Sequence, residues 1–566
     1  MINPDKEEIV GSPIGAAAFA ISTLIFIALC VSVLRHSVIW LLGFVADDAF
    51  YYLQIARHLA VSGHSTFDGL NPTNGYHPGW MLLMTGCARL FPDRIGLLRA
   101  SLGLEFGFQF ATSLMLIPIM RRFAGPFWAW VVAAAWLLSP LPFTLALFGV
   151  EAPFAQFTVA VAVWVYLKHI SPFLRPGTDF RPPTGSLVVF GLSLALAFYG
   201  RTDQALLAVA AFATLLGLIR LWTAPSLRLS ASARMLLWAG GAFFLGILPW
   251  YVFSYVSCGT LTQDSGAIKL LWYAHDVPFS YVHARISGAV KFTALFWLAA
   301  PFAALMTGQI PDFLSHATIV FLGLVVVAGT LWWFNRRSPA TDGEMRSGEL
   351  ADLGQVTLWL GSAYLISGLV YGALLGDSQL WHLAIPSLIS FLLLTSWGIR
   401  LARQHLGQKV QMRVGLVLLT AVLGLCAWHR ESMLPSYPWQ RDVYKYQPRF
   451  EALVPASARI GCFDAGIPAY FSPHTVVNLD GLVNHTAVAY WKTSTLERYV
   501  AVSGINYIAN DPGTVAHAQK FTGTPIPLTL IATSPLTDWY TNQRCFWKVG
   551  SRPEKTTSRL KDGETR

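Results

Sequence analysis

IGAAAFAISTLIFIALCVSVL, residues 14–34, runs for 21 residues without a charged side chain. A helix needs about 17–25 mostly apolar residues to cross a bilayer, so this stretch predicts a membrane span. The pattern returns near 96–119, 125–142, 152–169, 185–200, 203–221, 233–255, 314–334, 354–374, 380–399 and 411–428. The chain therefore predicts about eleven crossings. Two further runs would raise the count to about thirteen. The stretch 79–92 is short, and 286–308 carries Lys291 and is interrupted by Pro301. Both read as re-entrant or interfacial segments.

Composition agrees. Of 566 residues, 54% are hydrophobic and 12% charged, where soluble domains carry roughly 25% charged residues. That excludes a soluble enzyme, a disordered protein and a nucleic-acid binder. The net charge of +10 follows instead from Lys and Arg collecting in cytoplasmic loops. Arg121 and Arg122, then Lys168, Arg175 and Arg181, then Arg220, Arg228 and Arg234 fall at alternate loops, as do Arg336 and Arg337, then Arg400, Arg403, Lys409 and Arg413. With a cytoplasmic N-terminus and eleven crossings, all these clusters face inward. No cleavable signal peptide is expected, because no small-residue site follows the first apolar run. Six cysteines exclude a disulfide scaffold; Cys462 and Cys545 could pair in an oxidising compartment.

On this topology the polar signals gather on one face of the membrane. They lie in the loop 35–78, at Glu151, at Arg201–Asp203, in 256–285, in the turn 376–382 and beyond about 430. In ADDAFYYLQIARHLAVSGHSTFDGLNPTNGYHPGW, residues 46–80, the residues Ala49, Phe50, Leu53, Ala56 and Ala60 form an apolar stripe at helical spacing. Asp47, Tyr51, Gln54 and His58 line another face. An amphipathic helix at the membrane surface is predicted, with Asp47 as a candidate N-cap. Asp48 beside it makes an acid pair able to raise one pKa and supply a general base. Tyr76, His77 and Trp80 follow in a turn-forming stretch, where they could face a sugar or belong to an interfacial belt. Beyond 436 the hydropathy falls. ARIGCFD, TVVNL and INYIAN read as strands, and STLERYVAVSG as a helix.

The acid pair in DDAFYYLQIARHLA, followed by NPTNGYHP, resembles the first periplasmic loop of the GT-C glycosyltransferases, the multi-pass group that includes protein mannosyltransferases, aminoarabinose transferases and arabinosyltransferases. In order along the chain, GVEAP at 149–153, GRTDQ at 200–204, LPWY at 248–251 with DSGAIK at 264–269, and ARIGCFDAG at 458–466 with VVNLDGLVN at 476–484 also resemble segments of that family. WHLAIP departs from the family's RYxxP pattern and puts His382 where an Arg would stand.

The resemblance implies a GT-C-like membrane part over 1–435, a small extracytoplasmic α/β domain over 436–550 and a disordered tail over 551–566. It implies an inverting hexosyl or pentosyl transfer from a polyprenyl-phosphate-linked sugar to a hydroxyl of a cell-envelope glycan, lipid or protein, at the outer face of the cytoplasmic membrane. Asp47 would be the base, with Asp48 and Glu151 as further catalytic acids. Arg201, Lys269, Arg57, Arg99 and His382 would bind the donor phosphate, and Tyr51, Gln54, Tyr76 and His77 would contact acceptor or sugar. The alternatives are a transporter of lipid-linked sugars or an O-antigen-type polymerase, though no internal repeat of the transporter kind is visible.

Simpler roles stand beside these. Arg201 could snorkel at a helix end or pair with Asp203. Glu151 could cap the helix after it. Lys269 could sit in solvent, Glu105 could be a buried protonated acid, and Asp464 and Asp480 read as turn residues. His58, His64 and His77 fit no standard metal-ligand spacing, so neither metal nor cofactor is expected.

Overall fold

In a computed structural model of the chain, the described residues are 4–175, 179–276, 278, 280–292, 344–374, 379–432, 435–538 and 541–550. The expected run 314–334, most of 286–308, the start of the turn 376–382, Arg336, Arg337 and the tail 551–566 lie outside them. Ten of the eleven expected runs coincide with helices. The chain is a multi-pass membrane protein with a small C-terminal sheet domain.

The runs 96–119 and 125–142 fall in one helical segment, Arg94–Leu138, broken at Gly125 (φ 79°, ψ 172°). That backbone suits only glycine, and Pro126 starts the second arm. The arms fold into an antiparallel hairpin. Gln109 Nε2 donates to the Leu137 carbonyl at 3.0 Å, and Ser113 Oγ to the Ala133 carbonyl at 2.9 Å. Each step down one arm is matched by an equal step up the other.

The run 79–92 forms the 13-residue helix Pro78–Leu90, about 20 Å long and too short to cross. Gly79 lets it close on the Tyr199 carbonyl, 2.6 Å from where a Cβ would stand. Far from this end, Asp352 pairs with Arg122 at 2.6 Å and Arg175 at 2.5 Å. Two of the basic clusters thus meet at the end of the bundle opposite the C-terminal domain.

That domain is built on a five-stranded sheet of order β2-β1-β3-β5-β4. The strands are β1 (Arg459–Cys462), β2 (Thr475–Asn478), β3 (Tyr507–Asn510), β4 (Leu528–Pro535) and β5 (Gln543–Val549). β1 runs parallel to β2 and β3, and β4–β5 is an antiparallel hairpin. Asp464, Asp480 and Asp511 follow β1, β2 and β3 respectively, all at the carboxyl edge of the parallel strands. Cys462 and Cys545 are both free and buried. They sit on β1 and β5 with β3 between them, so about 10 Å separates their backbones, beyond disulfide reach.

Candidate functional site

The helix Asp47–Ser62 positions the acid pair. Its N-cap is Ala46, with no side-chain capping bond, so Asp47 does not cap its own helix. It caps another. Its two oxygens accept the backbone N–H groups of Gly466 (2.9 Å) and Ile467 (3.0 Å), which open the helix Gly466–Phe471 of the C-terminal domain. Gly466 is needed there, since a Cβ would lie 2.4 Å from the Asp47 carbonyl oxygen. Nearby, the Tyr51 hydroxyl stands 3.2 Å from both the Phe463 carbonyl and Asp480 Oδ2, and accepts the Ala465 N–H at 3.3 Å. The carboxyl edge of the sheet is therefore seated on this helix. Asp480 is a turn residue, its Oδ1 accepting the Leu482 N–H at 2.7 Å, and its other oxygen reaches Tyr51, whereas Asp464 pairs with Asn510 Nδ2 at 3.0 Å.

One residue on, the helix has turned by about 100°, and Asp48 faces an open cavity of about 530 Å³. Glu151, Arg201, Lys269, Tyr52, His77 and His382 line it too, and Leu482 and Val483 of the C-terminal domain close it. Asp47 is not among its walls. Both oxygens of Asp47, the expected base, are engaged by a helix of the neighbouring domain, and Asp48 is the acid presented to the cavity. Burial raises the Asp48 pKa, with Lys269 opposing the rise and Glu151 adding to it.

Glu151 and Arg201 form the floor. Arg201 Nη1 meets Glu151 Oε1 at 2.5 Å, and Nη2 meets Asp203 Oδ2 at 3.1 Å and the Tyr371 hydroxyl at 3.2 Å. Tyr371 in turn donates to Asp203. Tyr52 donates to Glu151 Oε2 at 2.9 Å and accepts the His77 N–H at 3.1 Å. Glu151 makes no side-chain cap for the helix Ala152–His169. The Thr202 N–H donates to His77 Nδ1 at 3.1 Å, which leaves the proton on Nε2, 3.5 Å from Glu151 Oε1. Burial lowers the His77 pKa and keeps the ring neutral. Arg201 is thus matched by two carboxylates. Lys269, on the helix Asp264–Asp276, has no hydrogen-bond or ion-pair partner among the described residues.

A second cavity of about 360 Å³ shares Arg201 and His382 with the first and continues between the spans past Leu207, Ala363, Ile385 and Ile389. His382 accepts the Gln379 N–H through Nδ1 at 3.0 Å.

Tyr51, Tyr76 and His77 reach the main cavity. Gln54 does not line it. Arg57 lies over the Tyr470 ring at 5.8 Å, and Arg99 donates to the His36 carbonyl at 3.3 Å. Neither cation lines the cavity, because the helices carrying them turn these side chains to the outer rim. One group was invisible to spacing: donor atoms of Cys258, Asp264 and His485 lie within 4.8 Å of one another. Sulfur, carboxylate and imidazole donors are the set that a borderline-soft cation such as zinc takes. Here Asp264 also bonds His485 Nδ1 at 2.7 Å and the Asn74 N–H at 3.3 Å, tying the first loop to the domain.

The seat predicts a pH dependence. Burial, with Asp464 and Asp48 adding, pushes Asp47 up to about 7 against the pull of the Ile467 and Gly466 N–H groups. Burial pushes Asp464 up to about 6 and Asp480 well above the usual range. Folded values above the unfolded ones, about 3.9, mean that the native state binds more protons between them. The contribution of these three carboxyls to stability is then complete below about pH 4 and is lost as pH rises through about 7. The midpoint of thermal unfolding should fall from pH 5 to pH 8. In Asp47→Asn and Asp464→Asn that slope should be shallower.

Comparison with known proteins gives three findings. A family profile described as a domain of unknown function (DUF8728) matches residues 444–550. No curated protein matches the sequence. Among solved structures, the chain is similar to ArnT from Cupriavidus metallidurans bound to undecaprenyl phosphate, with a TM-score of 0.53 and 13% identity over 94% of this chain and 99% of that one. It is also similar to the archaeal oligosaccharyltransferase AglB from Archaeoglobus fulgidus in complex with an inhibitory peptide and a dolichol-phosphate, with a TM-score of 0.47 and 12% identity over 88% of this chain and 69% of that one. At such identity the likeness to ArnT is one of fold.

Proposed function

We propose that the chain is an inverting glycosyltransferase that moves a sugar from a polyprenyl-phosphate donor to an acceptor hydroxyl at the outer face of the cytoplasmic membrane. The observation that carries this reading is one cavity holding a half-buried acid, Asp48, and a cation with no partner among the described residues, Lys269. The ArnT of like fold was crystallised with undecaprenyl phosphate, which favours a donor of that class.

Asp48 takes the proton of the acceptor O–H. The oxygen attacks the anomeric carbon from the face opposite the phosphate, and the carbon–oxygen bond to phosphate breaks with its electron pair going to the leaving group. Polyprenyl phosphate departs as an anion, so the chemistry needs a cation more than an acid. Lys269 supplies it. Arg201, already matched by Glu151 and Asp203, fixes the floor against which the headgroup sits and lends field rather than a vacant donor. The second cavity leads from that floor into the bundle along apolar side chains, a course that suits the start of a prenyl tail. The sugar is a hexose or pentose, and the acceptor a glycan, lipid or protein of the cell envelope.

The test is mass spectrometry of cell-envelope glycans from cells with and without the protein, complemented by wild type or Asp48→Asn. One sugar mass should disappear without the protein and return with wild type alone. An unchanged spectrum in both would sink the reading. In the purified protein, Lys269→Met should weaken undecaprenyl phosphate about tenfold to a hundredfold, the worth of one charged hydrogen bond, as read by titration in detergent.

A further inference from the structure

Arg99, which misses the cavity, belongs to a second set of arginines near the ends of spans. Arg99 donates to the His36 carbonyl at 3.3 Å, and Arg441 to the Trp40 carbonyl at 3.4 Å. These carbonyls lie on either side of the break between the first span and the short helix Val38–Leu41, where the His36 and Trp40 rings stack at 4.1 Å. Arg94, on the same helix as Arg99, donates to the carbonyls of Phe471 (3.2 Å) and Ser472 (3.0 Å). Tyr444, one turn beyond Arg441 on the helix Pro438–Glu451, meets Phe471 edge to face at 4.8 Å and joins the two ends of the group.

Three features set this group apart from a set of structural staples. No carboxylate lies within ion-pair distance of Arg94, Arg99 or Arg441 among the described residues. The Nε atoms of Arg94 and Arg441 are buried without a hydrogen-bond partner. The group lies where spans end: Arg35 closes the first span and Arg94 opens the next. Beside it, Ile39 is 52% and Phe91 44% exposed, as expected of side chains that meet lipid. Arg441 also rests directly on Gly43, where a Cβ would come within 2.7 Å of its guanidinium.

We propose that this rim binds the phosphate headgroup of an anionic phospholipid from the surrounding bilayer, at a site separate from the reaction cavity. Guanidinium forks match phosphate oxygens, and the neighbouring apolar side chains take the first part of the acyl chains. The site holds the end of the first span, the start of the long hairpin and the C-terminal domain against one lipid.

Native mass spectrometry of the protein taken from bilayers of phosphatidylglycerol and phosphatidylcholine tests this. Wild type should retain phosphatidylglycerol in preference to phosphatidylcholine. Retention should fall about fivefold for each of Arg99→Gln and Arg441→Gln, the scale of one basic residue near an anionic leaflet, and Arg99→Lys should keep most of it. Arg99 is exposed, so its single variant decides the matter if the double variant does not fold. Equal retention in Arg99→Gln and wild type would overturn the proposal. So would displacement by millimolar inorganic phosphate, which marks a free-anion site. A loss in Lys269→Met would place the lipid in the reaction cavity and also defeat it.

Discussion

Asp48→Asn should lower sugar transfer by about 10²–10⁴-fold, the usual worth of a positioned general base, with undecaprenyl phosphate still bound. The amide keeps the shape of the side chain and cannot take the acceptor's proton. Asp47→Asn is the control. Its side chain meets the Gly466 and Ile467 N–H groups, so its loss should appear in the seating of the C-terminal domain and the pH slope of stability, and far less in the transfer step. Equal loss of transfer in both variants, each correctly folded, would return the base to Asp47. Because Asp48 must be ionised to act and its pKa is raised, the rate should also fall on acidification at a higher pH than an ordinary carboxylate would give. Lys269→Met should move that limb further up, since the ammonium opposes the rise.

Arg201→Met should cost about 3–5 kcal/mol of stability, the range for removing one partner of a buried ion pair. The side chains of Arg201 and Glu151 are each only 4% exposed, so the variant strands Glu151 and Asp203 as buried charges. Glu151→Gln should cost less, because Arg201 keeps Asp203 at 3.1 Å. In the double variant Arg201→Met/Glu151→Gln the two losses should not add, as expected for residues in direct contact. Chemical denaturation in detergent, read by tryptophan fluorescence, gives the comparison. Additive losses would mean that the pair does not form.

The spans were legible because a bilayer demands long apolar runs whatever their neighbours do, and even the hairpin at Gly125 shows as two runs meeting at Gly-Pro. The helix bearing the acid pair was legible from its periodicity. Which acid looks into the cavity was not, since adjacent helical residues point about 100° apart and only the docked C-terminal domain decides which direction is occupied. Charge alone made Arg57 and Arg99 candidates beside Lys269. Their faces depend on how the helices rotate in the bundle, and a residue's sign says nothing of that. Cys258, Asp264 and His485 meet across more than 200 positions of chain, beyond any motif. The hairpin β4–β5 carries little alternation in burial on its edge strand and gave no strand signal.

The neighbouring acids divide two jobs along a single helical step: one bolts the roof, the next looks into the chamber beneath it. Sliding the helix by one residue, through an insertion or deletion just before it, would trade these jobs and leave both undone. The frame in which this loop leaves the first span is therefore fixed as tightly as the identity of the residues it carries. Changing the loop's length should disable the protein even with every side chain kept.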